Sequence, residues 1–447
     1  MALDTVESDL ERVGRQLYEA FPSPARHPVK ALDQRMMALA SSDQELKAAL
    51  FRFVDVTPAC HSLDDLAGHL VALLAEVDDR PRPLDAAVRM ASSATGRRAL
   101  GVAAAAGVRH MAHRFIVGDS PRAALGELER LWQSGAAASV DLLGEATVTS
   151  AEADRYAERC EDALDVLSGA FARVEHRPVL EHDSVGTLPR ANLSVKVTAL
   201  TPLMRADSPE RGRDDAAKRL RPLLRRARDL GAHLHIDSES LDSLETTMEL
   251  ALELLAEDEF AGGPSAGLVL QAYLRESPDQ LERILAWVGA HERAAPLTVR
   301  LVKGAYWDHE LTEARQLGWR PPVFEHKADS DRNFEALTRR LIDARPRVRV
   351  AIASHNLRSV AHAIAYNRAQ GGDDRDLELQ VLRGLGDDLQ HALAAGGFRV
   401  RTYCPVGDLV AGMAYLVRRL LENTANDSFL NEQAHGTALD ELLAPPA

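Results

Sequence analysis

The chain has 447 residues, enough for one large domain with an appendage or for two medium domains. Its 53 Lys and Arg against 67 Asp and Glu give a net charge of -14, which opposes nonspecific nucleic-acid binding and supplies no basic tail for a membrane surface. Cys60, Cys160 and Cys404 are too few and too widely spaced for a disulfide framework or a paired zinc motif, so a reducing cytoplasm is expected.

The first residues, MALDTVESDLERVGRQL, are acidic where a signal peptide needs a basic start and an apolar run, and no later run approaches membrane-spanning length. Residues 1 to about 130 read as successive helices. Apolar residues recur at three and four in 43-DQELKAALFRFVDV-56 and 63-LDDLAGHLVALLAEV-77, and 80-RPRP-83 interrupts the pattern. The pair in 110-HMAH-113 stands alone and is expected at the surface or in the core, not on a metal.

From Ala137 onward the texture changes to short β-branched runs: 139-SVDLL-143, 193-LSVKVTA-199, 233-HLHID-237, 267-GLVLQ-271, 298-TVRLV-302, 349-RVAIA-353, 377-LELQV-381 and 398-FRVRT-402. Between them lie amphipathic stretches such as 214-DDAAKRLRPLLRRARDL-230 and 238-SESLDSLETTMELALELLAE-257, each opening on a residue able to cap a helix. Eight strands alternating with helices predict a (β/α)8 barrel. The rival open sheet lacks its GxGxxG turn after the first strand, and 384-GLG-386 reads as an ordinary turn.

A barrel places chemistry at the carboxyl ends of its strands, where this sequence is rich in polar groups. Lys196, Asp237, Gln271, Arg300 and 354-SHN-356 all fall there. Lys196 has three readings: an ion pair with Asp237, a desolvated Schiff-base amine, or an ammonium that holds an anionic substrate. Arg300 followed by Lys303, Gly304, Tyr306 and Trp307 combines a planar donor, a cation, a close-approach glycine and aromatics, which suits a large, flat, phosphorylated ligand. His355 reads equally well as a capping histidine before a helix.

The last long apolar pattern opens at Pro405, placed at a first helical turn, and continues through Val410, Met413, Val417, Leu420 and Leu421. Arg418 and Arg419 interrupt it, with Tyr415 and Glu422 one turn to either side. Spacing alone favours a helix-surface ion pair.

The segments 193-LSVKVTAL-200, 235-HIDSES-240, 300-RLVKGAYW-307, 354-SHN-356, 401-RTYCPVG-407 and 415-YLVRRLLEN-423, in this order, resemble the motifs of the proline dehydrogenase family, in particular the proline dehydrogenase half of bacterial bifunctional proline utilization proteins. The match runs from about Leu142 to Asn431, and 50-LFRFVDVTPA-59 and 115-FIVG-118 extend it more weakly. The resemblance implies a distorted (β/α)8 TIM barrel over residues 131–435 with its last helix across the mouth, a helical arm over 1–130 and a tail over 436–447. It further implies noncovalent FAD and oxidation of L-proline to Δ1-pyrroline-5-carboxylate by hydride transfer from C5 to flavin N5.

By motif position, Lys196, Arg418 and Arg419 would grip the substrate carboxylate, while Tyr403 and Tyr415 would wall its ring and Leu301 and Ala305 would border it. Glu145 corresponds to an acid that pairs with a mouth arginine as a gate. Asp237 and Arg300 take the catalytic positions, with Arg300 at the flavin N5 locus. Ile236, Gln271, Val302, Lys303, Gly304, Ala305, Trp307, Lys327, Ser354, His355, Asn356, Gln380, Glu422 and Phe429 fall at flavin positions. Glu325 and His326, beside Lys327 and Asp331, depart from the small or hydroxylated residues of many relatives. A quinone acceptor, transient peripheral membrane contact and a pyrroline-5-carboxylate dehydrogenase domain or partner complete what the family implies. No DNA-binding module is recognisable at the N-terminus, so no nucleic-acid partner is expected. No aldehyde dehydrogenase half follows Ala447, leaving a monofunctional enzyme and a piece of a longer protein as alternatives.

Overall fold

A computed structural model describes residues 2–22, 44–78, 80–144, 147–408, 412, 415 and 437–446. The chain opens with α1 (Ala2–Glu19), α2 (Gln44–Val56), α3 (Leu63–Ala75), α4 (Arg82–Met90), α5 (Ala94–Phe115) and α6 (Pro121–Gln133). Then follow β1 (Ala136–Leu142), α7 (Ser150–Phe171), the short α8 (Pro178–Glu181), β2 (Asn192–Lys196), α9 (Pro209–Asp229), β3 (His233–Asp237), α10 (Leu241–Leu255), β4 (Ser265–Gln271) and α11 (Ser277–Ala290). The remainder comprises β5 (Leu297–Val302), α12 (Trp307–Leu317), α13 (Lys327–Asp343), β6 (Val348–Ala353), α14 (Leu357–Ala369), β7 (Leu377–Leu382), α15 (Asp387–Ala395), β8 (Val400–Val406) and α16 (Leu439–Leu442).

All eight strands are parallel and close in the order β1 to β8, with β8 returning to β1. Each expected strand is present. Most strand ends shift by one to four residues, and two of the shifts have a clear physical reason. The run after Lys196 tightens into a 3-10 turn, Val197–Ala199. Pro405 is in β8, not at a helix start: its missing N–H removes one ladder donor, and its carbonyl accepts from Val117 N at 2.9 Å. The expected caps also shift. α9 starts at Pro209 after Ser208, and α10 follows Ser240, which makes no side-chain capping bond. Gly384, with φ 82°, forms the expected turn, its N–H donating to Asp387 Oδ1 at 3.0 Å.

The apolar core lies between the sheet and the surrounding helices and includes Leu193, Leu234, Leu268, Val299 and Val350 from the strands. Val6, Leu10, Val13 and Leu17 on α1 belong to the same cluster, and α1 packs along α14. Arg358 at the start of α14 is buried and donates to Glu335 at 2.8 Å, to Glu7 on α1 at 2.6 Å and to the Leu443 carbonyl at 2.6 Å. A second, smaller cluster joins α2, α3 and α5 through Leu46, Phe53, Leu66, Leu73 and Val108. His110 and His113 are exposed on α5.

The barrel interior is polar. Alternation along the strands turns Ser139, Ser194, His233, His235, Arg300, Glu378 and Arg401 away from that apolar layer, and all are buried. Arg401 donates to Glu378 at 2.9 Å and to the Ala138 carbonyl at 2.8 Å. His233 bonds Ser265 at 2.9 Å and His235 at 3.2 Å. Burial, reinforced by Arg401, lowers His233 to about 3, and burial with Arg339 lowers His362 to about 3. His235 is also pushed well down by burial and by Arg300.

These imidazoles fold neutral, whereas the unfolded chain protonates them below about pH 6.5. Their contribution is therefore complete above that pH and is lost as the pH falls toward 3. Each costs about 2 kcal/mol between pH 7 and 5. Urea denaturation at the two pH values measures it. Equal stability at both would mean that the imidazoles are already charged in the fold.

Candidate functional site

At the C-terminal mouth, strand order and register gather groups that are far apart in sequence. Lys196 and Asp237 are register partners on β2 and β3, and Asp141 on β1 lies beside Ser194 of β2. Lys196 Nζ bonds Asp141 directly and is 4.0 Å from Asp237 Oδ2. Its main partner is thus Asp141, which the sequence reading did not single out. All three are buried, so the ammonium has exchanged water for carboxylates.

Asp237 joins two further groups. Its Oδ1 accepts from Arg300 Nη1 at 2.7 Å and its Oδ2 from the Tyr403 hydroxyl at 2.6 Å. Arg300 Nη2 reaches across the closed barrel to Ser139 Oγ at 3.3 Å and Ser194 Oγ at 3.2 Å. Its guanidinium carbon also lies 5.3 Å from the Tyr403 ring centre. Burial, then the Asp141 and Asp237 charges, push the Tyr403 phenol well above its ordinary value, so it remains a hydrogen-bond donor. Arg300 Nε is buried and has no hydrogen-bond partner among the described residues.

Beside this cluster lies a second group from β4 to β7. Gln271 is buried and donates to the Glu239 carbonyl at 2.9 Å, and Val302 is its register partner. Lys303 pairs with Asp331, whose other oxygen is 3.2 Å from Lys327 Nζ. Gly304 has φ 133°, and a Cβ there would fall 2.2 Å from the Tyr273 ring. Ala305 is exposed, and Trp307 Nε1 donates to the Phe324 carbonyl at 2.8 Å. Glu325 is 3.5 Å from Arg315, and His326 stands before α13.

At the end of β6, Ser354 Oγ accepts from Asn356 N at 3.1 Å, and Asn356 caps α14 by accepting from Ser359 N at 3.0 Å. His355 Nε2 accepts from Leu382 N at 2.9 Å, which puts the proton of its neutral ring on Nδ1. Gln380 is buried and donates to Glu378 at 2.6 Å. Ile236 points into the apolar layer.

Tyr415 is buried among Phe115, Ile116, Leu143 and Leu385, a seam between α5 and the ends of β1 and β7. Glu145, Arg418, Arg419, Glu422 and Phe429 lie outside the described residues, as does the expected mouth helix apart from Gly412 and Tyr415. A cleft of about 510 Å³ opens at the other end of the barrel, beside Arg190, Gly263 and Arg349, and contains none of the mouth cluster.

Asp141, Ser139 and Ser194 are the residues missed from sequence. The signal was present: a carboxylate and serines at alternate positions of otherwise apolar strands must face something other than the helices.

A closed (β/α)8 barrel with a buried network of cations and carboxylates at its C-terminal mouth has the architecture of a barrel enzyme. The family profile described as proline dehydrogenase matches residues 124–432, and that of the proline utilization A N-terminal domain matches 7–115. The chain belongs to the proline dehydrogenase family. It is 33% identical over 347 residues to the bifunctional protein PutA of Salmonella typhimurium, covering 76% of this chain and 25% of that protein. Proline dehydrogenase 1 of Bacillus subtilis subsp. natto is 27% identical over 73% of this chain and 92% of its own length. A solved structure of proline utilization A from Bdellovibrio bacteriovorus, inactivated by N-propargylglycine, superposes with a TM-score of 0.90 at 33% identity, covering 99% of this chain and 44% of that one. The chain therefore spans about a quarter of the length of the bifunctional curated relative it matches.

Family membership implies a flavin cofactor. The donor set fits one. Arg300 Nε is a buried donor with capacity to spare, and Lys303 and Lys327 supply cations for phosphate, while Gly304 lets the turn that carries Lys303 pack against the Tyr273 ring.

Proposed function

We propose that this chain oxidises L-proline to Δ1-pyrroline-5-carboxylate, the first step of proline catabolism, using noncovalent FAD. The observation that carries this reading is the single network joining Asp141, Lys196, Asp237, Arg300 and Tyr403 at the mouth of a family barrel. When bound, FAD supplies a two-electron acceptor for the hydride from C5 of proline.

The protein's own residues bind and orient. Lys196, held as an ammonium by Asp141 and Asp237, is a fixed positive point for the substrate carboxylate. Arg418 and Arg419 are proposed to complete the grip with guanidinium forks, and Glu145 to act as their gate. Tyr403 and Tyr415 are assigned to the substrate ring. Asp237 holds Arg300 and Tyr403 in place, and so fixes a cation and a neutral donor where the reacting atoms must sit.

Gln271, Val302, Lys303, Gly304, Ala305, Trp307, Lys327, Ser354, His355, Asn356 and Gln380, with Ile236, Glu422 and Phe429, are proposed to hold the flavin. The α14 N-terminus and the two lysines suit its pyrophosphate. Residues 131–435 form the proposed catalytic unit, with 1–130 as a helical arm and 436–447 as a tail. The proposed setting is cytoplasmic, with a quinone acceptor reached by transient peripheral membrane contact. No described helix is long and apolar enough to cross a membrane. A pyrroline-5-carboxylate dehydrogenase domain or partner would take the product.

The visible spectrum of the purified protein tests the reading. A yellow protein that bleaches anaerobically with L-proline is expected, as is inactivation by N-propargylglycine, the compound on the Bdellovibrio relative. A protein that binds no flavin after reconstitution with FAD, and is instead trapped by substrate and borohydride, would identify a Schiff-base lyase built on Lys196.

A further inference from the structure

We propose that Cys60, Asp65 and His69, in the N-terminal helices, form a site for one zinc-class divalent cation. Cys60 follows the 3-10 turn Thr57–Ala59 at the end of α2, Asp65 is in the first turn of α3, and His69 is one turn further on the same face. One sulfur, one carboxylate oxygen and one ring nitrogen lie within 4.8 Å of one another. None of the three belongs to the barrel mouth.

The local fold holds the carboxylate in advance. Asp65 N donates to the N-cap Ser62 Oγ at 3.1 Å, and Asp65 Oδ2 accepts from His61 N at 3.0 Å, two bonds that hold the rotamer. This leaves Oδ1 facing His69 Nε2 at 3.6 Å. That separation is longer than the roughly 2.7–3.2 Å of a hydrogen bond. It is close to the ~3.4 Å edge between two ligands each about 2.1 Å from a tetrahedral ion. Among the described residues no arginine or lysine pairs with Asp65, so no resident cation competes.

The donor set selects the metal. Sulfur, imidazole and carboxylate together suit zinc, whereas calcium and magnesium take oxygen ligands. Three protein ligands leave a fourth position for water. Cys60 Sγ now donates to the Val56 carbonyl at 3.6 Å; coordination replaces the S–H bond with an S–metal bond and releases the proton to solvent. The ion would staple the turn after α2 to α3, next to the small core of Leu46, Phe53 and Leu66. A second cluster, His176, Glu181 and His182, is similarly compact, but Arg190 lies 3.0 Å from Glu181 and 3.3 Å from His176 and repels a metal there.

The test uses the full chain with its flavin, stripped by a chelator and titrated with zinc alone. One zinc per chain is expected, with a rise in melting temperature. His69→Ala, at an exposed position, and Cys60→Ser should each weaken binding more than about tenfold, beyond the smallest effect of an outer-shell partner. Cobalt(II) should give a thiolate-to-metal charge-transfer band that Cys60→Ser abolishes. Absence of stoichiometric zinc at micromolar free metal, or affinity unchanged in both variants, would overturn the site.

Discussion

Replacing Asp237 with alanine should lower proline-dependent flavin reduction about a hundredfold or more and destabilise the fold by about 3–5 kcal/mol. The carboxylate accepts from Arg300 and Tyr403 and is 4.0 Å from Lys196. Its removal leaves a buried guanidinium and a half-buried phenol without this acceptor. Asp237→Asn keeps an acceptor oxygen for one partner and should fall between wild type and the alanine variant in stability. Anaerobic stopped-flow reduction reports the first quantity, and guanidinium denaturation reports the second. Wild-type values for both in Asp237→Ala would mean that the network is idle.

Gly304→Ala should have the next largest effect. The φ of 133° belongs to glycine, and the added methyl would meet the Tyr273 ring at 2.2 Å. Backbone strain and overpacking together cost about 2–5 kcal/mol. The adjacent Lys303 must shift, so flavin should dissociate more readily on dilution. Combining Gly304→Ala with Tyr273→Ala removes the collision and leaves the strain, and should recover part of the loss. If the single variant retains flavin and stability like wild type, this turn tolerates a side chain and the close-approach argument is wrong.

The sequence made the barrel legible because each strand is short, β-branched and followed by a helix. The end of β2 is hidden in the sequence because Val197–Ala199 has strand-like composition but forms a 3-10 turn. Pro405 suits both a first helical turn and the end of a strand, and only pairing to Asp141 across the barrel closure decides between them. Lys196, Asp237 and Arg300 were legible as charges at strand ends. Their partners were not. Asp141 meets Lys196, and Ser139 meets Arg300, only after β1 has closed against β8 and β2, a contact between residues 55 and 161 positions apart. The Tyr415 environment was likewise hidden, since Phe115 and Ile116 come from a helix that precedes the barrel by sequence.

Arg358 has a consequence for how this protein could be cut down or rebuilt. One guanidinium ties α14 to Glu7 and to the Leu443 carbonyl, while Val6, Leu10, Val13 and Leu17 cover the same helix. The outer layer of the barrel is thus discontinuous along the chain, with its earliest helix serving as cladding for one of its latest. Excising residues 131–435 would remove that cladding and strip a buried cation of two of its acceptors, so a minimal barrel would need α1 supplied again, by fusion or as a separate peptide.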